Sequence, residues 1–202
     1  MGFDIVSVVL QVPEKINNVP VTKIAKHAFS HSRIKEVYLP NSISEIEQGA
    51  FSYCFELEIV SFYLTSSNNQ HIRIGRQAFC FCTSLNTVYA PTMNASLDPY
   101  GFAYCEIMAN FNMSINALKG LGFIGCIALS QIDFHKDAII EDVFFVDLPK
   151  LYIISFGGNA TIAKNVLQKI HENNLQIICS PDSNLIDLVY SGFVVKVQDN
   201  VK

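Results

Sequence analysis

The chain has 202 residues, half of them hydrophobic and 16% charged, with a formal net charge of −4. That composition excludes intrinsic disorder, and the acidic balance argues against a general nucleic-acid binder or a partner for anionic membranes. Six cysteines are too few for a disulfide-dense mini-domain, and no apolar run reaches the ~18 residues that would predict membrane insertion.

The opening MGFDIVSVVLQVPEK carries Asp4 and no basic flank, so it does not read as a signal peptide. Val6 stands where a myristoylation signal after Gly2 needs Ser or Thr. Residues 5–13, IVSVVLQVP, align with the strand pattern that ends at Pro40, with Leu10 and Val12 in the places of Val37 and Leu39. They predict a first rung. The chain thus opens in the middle of a repeat, as a piece of a longer repeat protein would.

From there the sequence repeats itself. IEQGAFSYCFELEIVSF (46–62) is followed by IGRQAFCFCTSLNTVYA from Ile74, LDPYGFAYCEIMANFNM from Leu97, LKGLGFIGCIALSQIDF from Leu118 and IEDVFFVDLPKLYIISF from Ile140. A shorter copy begins at Ile24, and a looser one runs from Ile162 through Leu167 and Ile170 to Leu175 and Ile178. The aromatic column Phe29, Phe51, Phe79, Phe102, Phe123, Phe145, Leu167 advances by 22, 28, 23, 21, 22 and 22 residues. That period is the one expected of a solenoid.

Each unit has two parts. L-x-x-V-x-F predicts a short strand with alternate residues turned inward. I-x-x-x-A-F-x-x-C spaces its apolar residues like a turn of α-helix or 3₁₀-helix. Pro13, Pro40 and Pro91 are read as strand ends. The polar run at 65–70 and the stretch 92–96 are read as surface loops. Residues 1–20 form an N-terminal cap or partial repeat, 21–181 about seven repeats, and 182–202 either a cap or the start of another repeat. All are parts of one domain spanning 1–202.

The pattern I-x-x-x-A-F-x-x-C-x-x-L-x-x-V-x-L-P, best seen in the five copies from Ile46 to Phe156, resembles the BspA-like leucine-rich repeats. The resemblance covers 21–181, with Leu148 and Ile170 replacing the cysteine late in the chain and Ser32 replacing it early. It implies an α/β leucine-rich-repeat solenoid: a curved horseshoe with a parallel β-sheet on its concave face and short helical turns on its convex side. It also implies protein binding, in some members adhesion at a cell surface or after secretion. It brings no catalytic residue. A full-length chain without a signal peptide would instead be cytoplasmic and suit an intracellular scaffold for a signalling partner.

Other motifs reduce to repeat positions. Gly120-x-Gly122-x-x-Gly125 spells a dinucleotide fingerprint, but Gly122 fills the small-residue slot of Ala28, Ala50, Ala78 and Gly101, and no long helix is expected after it. Cys54, Cys82, Cys105 and Cys126 share one column, which spreads them along a line instead of converging on a metal. They are expected to be buried thiols, with Cys80 at the surface and Cys179 on the concave side. His27 and His31 lack a third ligand and are read as solvated. Three Asn-x-Ser/Thr triplets, at Asn94, Asn112 and Asn159, matter only on a secretory route. No enzyme signature, cofactor or metal site is expected.

Function should sit on the outward strand positions. The third positions are Glu36, Ile59, Thr87, Asn110, Gln131 and Ile153, and the fifth are Tyr38, Ser61, Tyr89, Asn112, Asp133 and Ser155. Tyr38, Ile59, Tyr89, Asn110, Asn112, Asp133 and Ile153 are the candidate contacts for a protein or peptide ligand of unassigned identity. Eight rungs make a strip of roughly 580 Å², small enough to favour a peptide or a weak partner.

Overall fold

The computed structural model describes residues 8–63, 70–141, 145–162, 175–179 and 194–197. Its backbone is a coil of stacked rungs. The main ladder runs β1 (Val9–Gln11), β5 (Glu36–Pro40), β7 (Ile59–Tyr63), β9 (Thr87–Leu97), β10 (Asn110–Lys119), β11 (Gln131–Glu141), β12 (Ile153–Phe156), β14 (Gln176–Cys179) and β15 (Val194–Val197), every neighbouring pair parallel. Leu10 pairs with Val37, so Val9–Gln11 contributes the first rung, while residues 5–7 of the segment read as that rung lie outside the described residues. β15 adds a ninth, which makes 194–197 the start of a further strand.

A second parallel ladder stands beside the first. It joins β4 (Lys23–Ile24), β6 (Glu45–Ile46), β8 (Gln70–Ile74), the far halves of β9, β10 and β11, and β13 (Ala160–Ile162). Residues 92–96 are not a loop but continue β9, and Pro91 sits inside that strand instead of ending it. The proline lies between the two ladders: Thr87 to Tyr89 pair with β7, and Met93 to Leu97 pair with β8, so its missing N–H breaks neither. A small hairpin of β2 (Lys15–Ile16) and β3 (Val19–Pro20) turns through Asn17 and Asn18, both at positive φ. The 65–69 part of the polar run lies outside the described residues, and Gln70 opens β8.

The convex side differs from the helical expectation. Among the described residues no helix forms; the A-F-x-x-C segment is a chain of tight turns. Ala50, Ser52, Cys54 and Leu57 each donate their N–H three residues back, as a 3₁₀-helix would require. Gly49 and Tyr53, however, have φ of 62° and 60°, and Gln77, Phe81, Tyr100 and Tyr104 repeat the pattern. A left-handed residue at every fourth position reverses the chain before a helix can propagate. The N–H groups of Gly49, Phe51 and Tyr53 then point out of their own turn and donate to the carbonyls of Arg76, Ala78 and Cys80 on the next rung.

The core lies inside this coil. Phe29, Phe51, Phe79, Phe102 and Phe123 stack in parallel at centroid distances of 5.2, 5.2, 5.0 and 5.9 Å. The cysteine column lies beside it: Cys54, Cys82, Cys105 and Cys126 each donate Sγ–H to the carbonyl of the preceding rung's phenylalanine, at 3.0–3.2 Å. Burial pushes the Cys82 and Cys105 thiols well above the usual range. All six cysteines are buried, and none is in a disulfide. Cys80 is therefore not a surface thiol: it is 3% exposed and pushed up to about 11 by that burial. Cys179 also turns inward, because Ile177 pairs with Ile154 and sets the alternation of β14 so that Ile178, not Cys179, faces outward.

On the solvent side of the turns a second aromatic file runs in parallel: His31 on Tyr53 at 4.8 Å, Tyr53 on Phe81 at 5.1 Å and Phe81 on Tyr104 at 4.5 Å. His31 is thus a stacking residue as well as an exposed one. Gly125 ends the file: its φ is +73°, and an added Cβ would meet Tyr104 Cδ1 at 2.6 Å. Gly122 holds the small slot for a packing reason, since a Cβ there would meet Leu118 Cδ1 at 2.6 Å.

Candidate binding surface

Strand alternation fixes what the main ladder shows to solvent. In β5 the side chains of Val37 and Leu39 are buried while Glu36 and Tyr38 are half-exposed, and β7 and β12 repeat this in register. Glu36, Ile59, Thr87 and Asn110 therefore line up in one outward row, and Tyr38, Ser61, Tyr89 and Asn112 in the next. Gln131 and Asp133 hold the same two repeat positions on β11, where they pair with Ile153 and Ser155.

At the centre of this face is a groove of about 600 Å³ lined by Thr87, Val88, Tyr89, Ala109, Asn110, Phe111, Asn112, Ser130, Gln131 and Asp133. Of the seven candidates it gathers Tyr89, Asn110, Asn112 and Asp133. Tyr38, Ile59 and Ile153 stand on the same face outside it. Ala109 and Ser130, just before their strands, belong to the groove but not to the outward rows. Their signal in the sequence was their place immediately ahead of each third position.

The groove is polar and held in place by its own bonds. Gln131 Nε2 donates to Asp133 Oδ1 at 2.8 Å, and Ser155 Oγ donates to the same oxygen. Tyr89 is 46% exposed and Asn110 and Asn112 are exposed. Two rungs away Tyr38 donates its hydroxyl to Glu36 Oε2 at 2.9 Å, and that bond, with the carboxylate's charge, raises the phenol above its ordinary value. The second ladder carries a separate ionic file, Lys23–Glu45–Arg73–Asp98, with Arg73 Nη1 2.7 Å from Glu45 Oε1. Lys23 and Arg73 hold the Glu45 carboxyl below its usual range. The file joins successive rungs and shares no residue with the groove.

Among the described residues no three His, Cys, Asp or Glu side chains converge to hold a metal ion, and no helix is long and apolar enough to cross a membrane. Of the three triplet asparagines, Asn94 is buried, whereas Asn112 and Asn159 are exposed.

Parallel rungs of about one turn per 22 residues, stacked on internal phenylalanine and cysteine files with a polar outer sheet, define a leucine-rich-repeat solenoid. The sequence matches the BspA-type leucine-rich repeat region in 6 copies, over residues 14–108 and 56–178. The chain belongs to that family. A leucine-rich-repeat protein of Treponema pallidum, TpLRR, superposes with a TM-score of 0.54 at 22% identity, over 75% of this chain and 73% of that one, and shares the fold. A leucine-rich-repeat protein of Bacteroides ovatus gives 0.37 at 19% identity, covering 96% and 70%. The pneumococcal vaccine antigen PcpA gives 0.30 at 12%, covering 96% and 89%. A comparison with curated proteins gave no match.

Proposed function

We propose that the chain is a non-catalytic protein-binding module that recognises its ligand through the concave sheet, and that it serves surface recognition or adhesion. The observation that carries this reading is the groove of about 600 Å³ in the outer sheet, where an exposed tyrosine stands among amides. Aromatics with two torsions and amides that both donate and accept are what protein interfaces use for contact and orientation. Nine rungs at ~4.8 Å make a strip of about 38 Å by 17 Å, or ~650 Å². That remains below the ~800 Å² per partner of a standard interface, which favours a peptide segment or a weak contact.

Adhesion rests on the family resemblance; an intracellular scaffold is the second reading. A pull-down with the chain as bait, run in parallel on extracellular-matrix extract and on source-cell cytosol, separates them. The control bait carries Tyr38→Ala and Tyr89→Ala. A matrix protein retained by the native bait and lost by the control supports adhesion, and a cytosolic protein with the same dependence supports the scaffold. Retention that ignores both tyrosines sinks the concave-face assignment.

A further inference from the structure

We propose that the ligand of this face is an extended peptide carrying two basic side chains about six residues apart, laid across the rungs along the solenoid axis. The inference rests on the concave-face reading above and adds the chemistry of the occupant.

Over the first eight rungs the two outward rows contain Glu36 and Asp133 and no Lys, Arg or His. Within these two rows the acids are the charged positions, so a ligand laid along the rows meets two separated carboxylates. Asp133 stands at the groove. Its Oδ1 takes the bonds from Gln131 and Ser155, while Oδ2 has no hydrogen-bond partner among the described residues. A carboxylate anchored by one oxygen offers the other in a fixed direction, the acceptor geometry that a guanidinium or ammonium matches. Glu36 is anchored in the same way, through the bond from Tyr38 to Oε2.

The spacing between the acids sets the spacing in the ligand. Glu36 is on β5 and Asp133 on β11, four steps apart through β7, β9 and β10. At ~4.8 Å per step that is about 19 Å, and the two-residue difference between their repeat positions lengthens it to ~20 Å. An extended chain advances ~3.3 Å per residue, so ~six residues span it, and positions six apart project from the same side. Tyr89 on β9 lies midway, beneath the main chain of such a segment. The amides of Asn110, Asn112 and Gln131 each donate and accept, as peptide groups on the ligand require.

The test is to pan a phage-displayed library of random dodecapeptides on the intact chain, on Asp133→Asn, on Glu36→Gln and on Tyr89→Ala. The asparagine keeps an Oδ1 acceptor for Gln131 and Ser155, so the groove retains its shape. Expected is enrichment on the native chain of Lys/Arg pairs six apart, with a synthesised clone losing about tenfold in affinity on Asp133→Asn and on Glu36→Gln. Enriched sequences that are neutral or acidic yet still need Tyr89 overturn the basic-pair inference and leave the concave-face reading standing. So do basic pairs of no preferred spacing, or affinity indifferent to both acid substitutions. Enrichment that ignores Tyr89→Ala, or none at all, overturns both.

Discussion

Replacing Phe79 tests whether the internal aromatic file holds the rungs together. Its ring is 1% exposed and lies parallel to Phe51 at 5.2 Å and to Phe102 at 5.0 Å. Phe79→Ala removes the buried ring and leaves a cavity, which costs about 3–5 kcal/mol in well-packed cores. Phe79→Leu keeps most of the apolar bulk but loses two ring–ring contacts at ~0.5–1.5 kcal/mol each, so a loss of about 2 kcal/mol is expected. For a chain of this length the alanine variant should melt roughly 6–20 °C below the native protein. Circular dichroism followed through urea and through heating reads both variants. Phe55→Ala, at a ring 52% exposed on the turn surface, serves as the comparison and should change stability by no more than about 0.5 kcal/mol. A loss of under ~1.5 kcal/mol for Phe79→Ala would refute the reasoning, since a collapsible cavity would mean the file is not a packed core. A leucine variant as stable as the native chain would refute the separate contribution of stacking.

Two further expectations concern the turns and the ionic file. Gly125→Ala should destabilise by about 1–2 kcal/mol in urea titration, from the left-handed φ alone and before Tyr104 is displaced; an unchanged midpoint would mean that turn is free to relax. Glu45 has its folded pKa held below the unfolded value, so its contribution to stability is present above the unfolded carboxylate range and is lost as pH falls through the folded pKa. Urea midpoints measured downward from about pH 5 should therefore decline less steeply for Glu45→Gln than for the native chain; parallel declines would show that the Lys23 and Arg73 contacts do not favour the ionised form.

Much of this architecture was legible because a solenoid writes the same demand at every turn. The phenylalanine and cysteine columns, the outward rows holding Tyr38, Tyr89 and Asp133, and the first rung at Leu10 all followed from period and alternation. Among the described residues the convex segments form tight turns and no helix, because A-F-x-x-C fits a turn of helix and a pair of linked β-turns equally well. What decides between them is the left-handed residue at each fourth position, where His27, Gln77 and Tyr100 stand instead of the glycine that would have announced it. Cys80 was misplaced for a similar reason, since its exposure depends on the path of the turn and not on the column it precedes. Residues 92–96 looked like a loop because Pro91 and Asn94 weaken a strand pattern, yet the neighbouring β8 supplies the pairing that local propensity lacks. The groove is a collective property of three adjacent strands. The rows could be read from the sequence, but their depth between Tyr89 and Asp133 could not.

Among the described residues, the hydrogen bonds that link the A-F-x-x turns of successive rungs run one way. His27, Phe29 and His31 donate to the rung after them, and so do Gly49, Phe51 and Tyr53, then Gln77, Phe79 and Phe81, then Phe102 and Tyr104. Along this edge the forward side of any rung presents bare N–H groups and the rearward side bare carbonyls. The two cut faces are unlike, and each is the complement of the other. Two such edges cannot pair head to head, but they can join tail to head without limit. A gene that duplicates or drops one whole turn therefore leaves a seam that closes on itself, and the number of turns can vary while the chemistry of every junction stays the same.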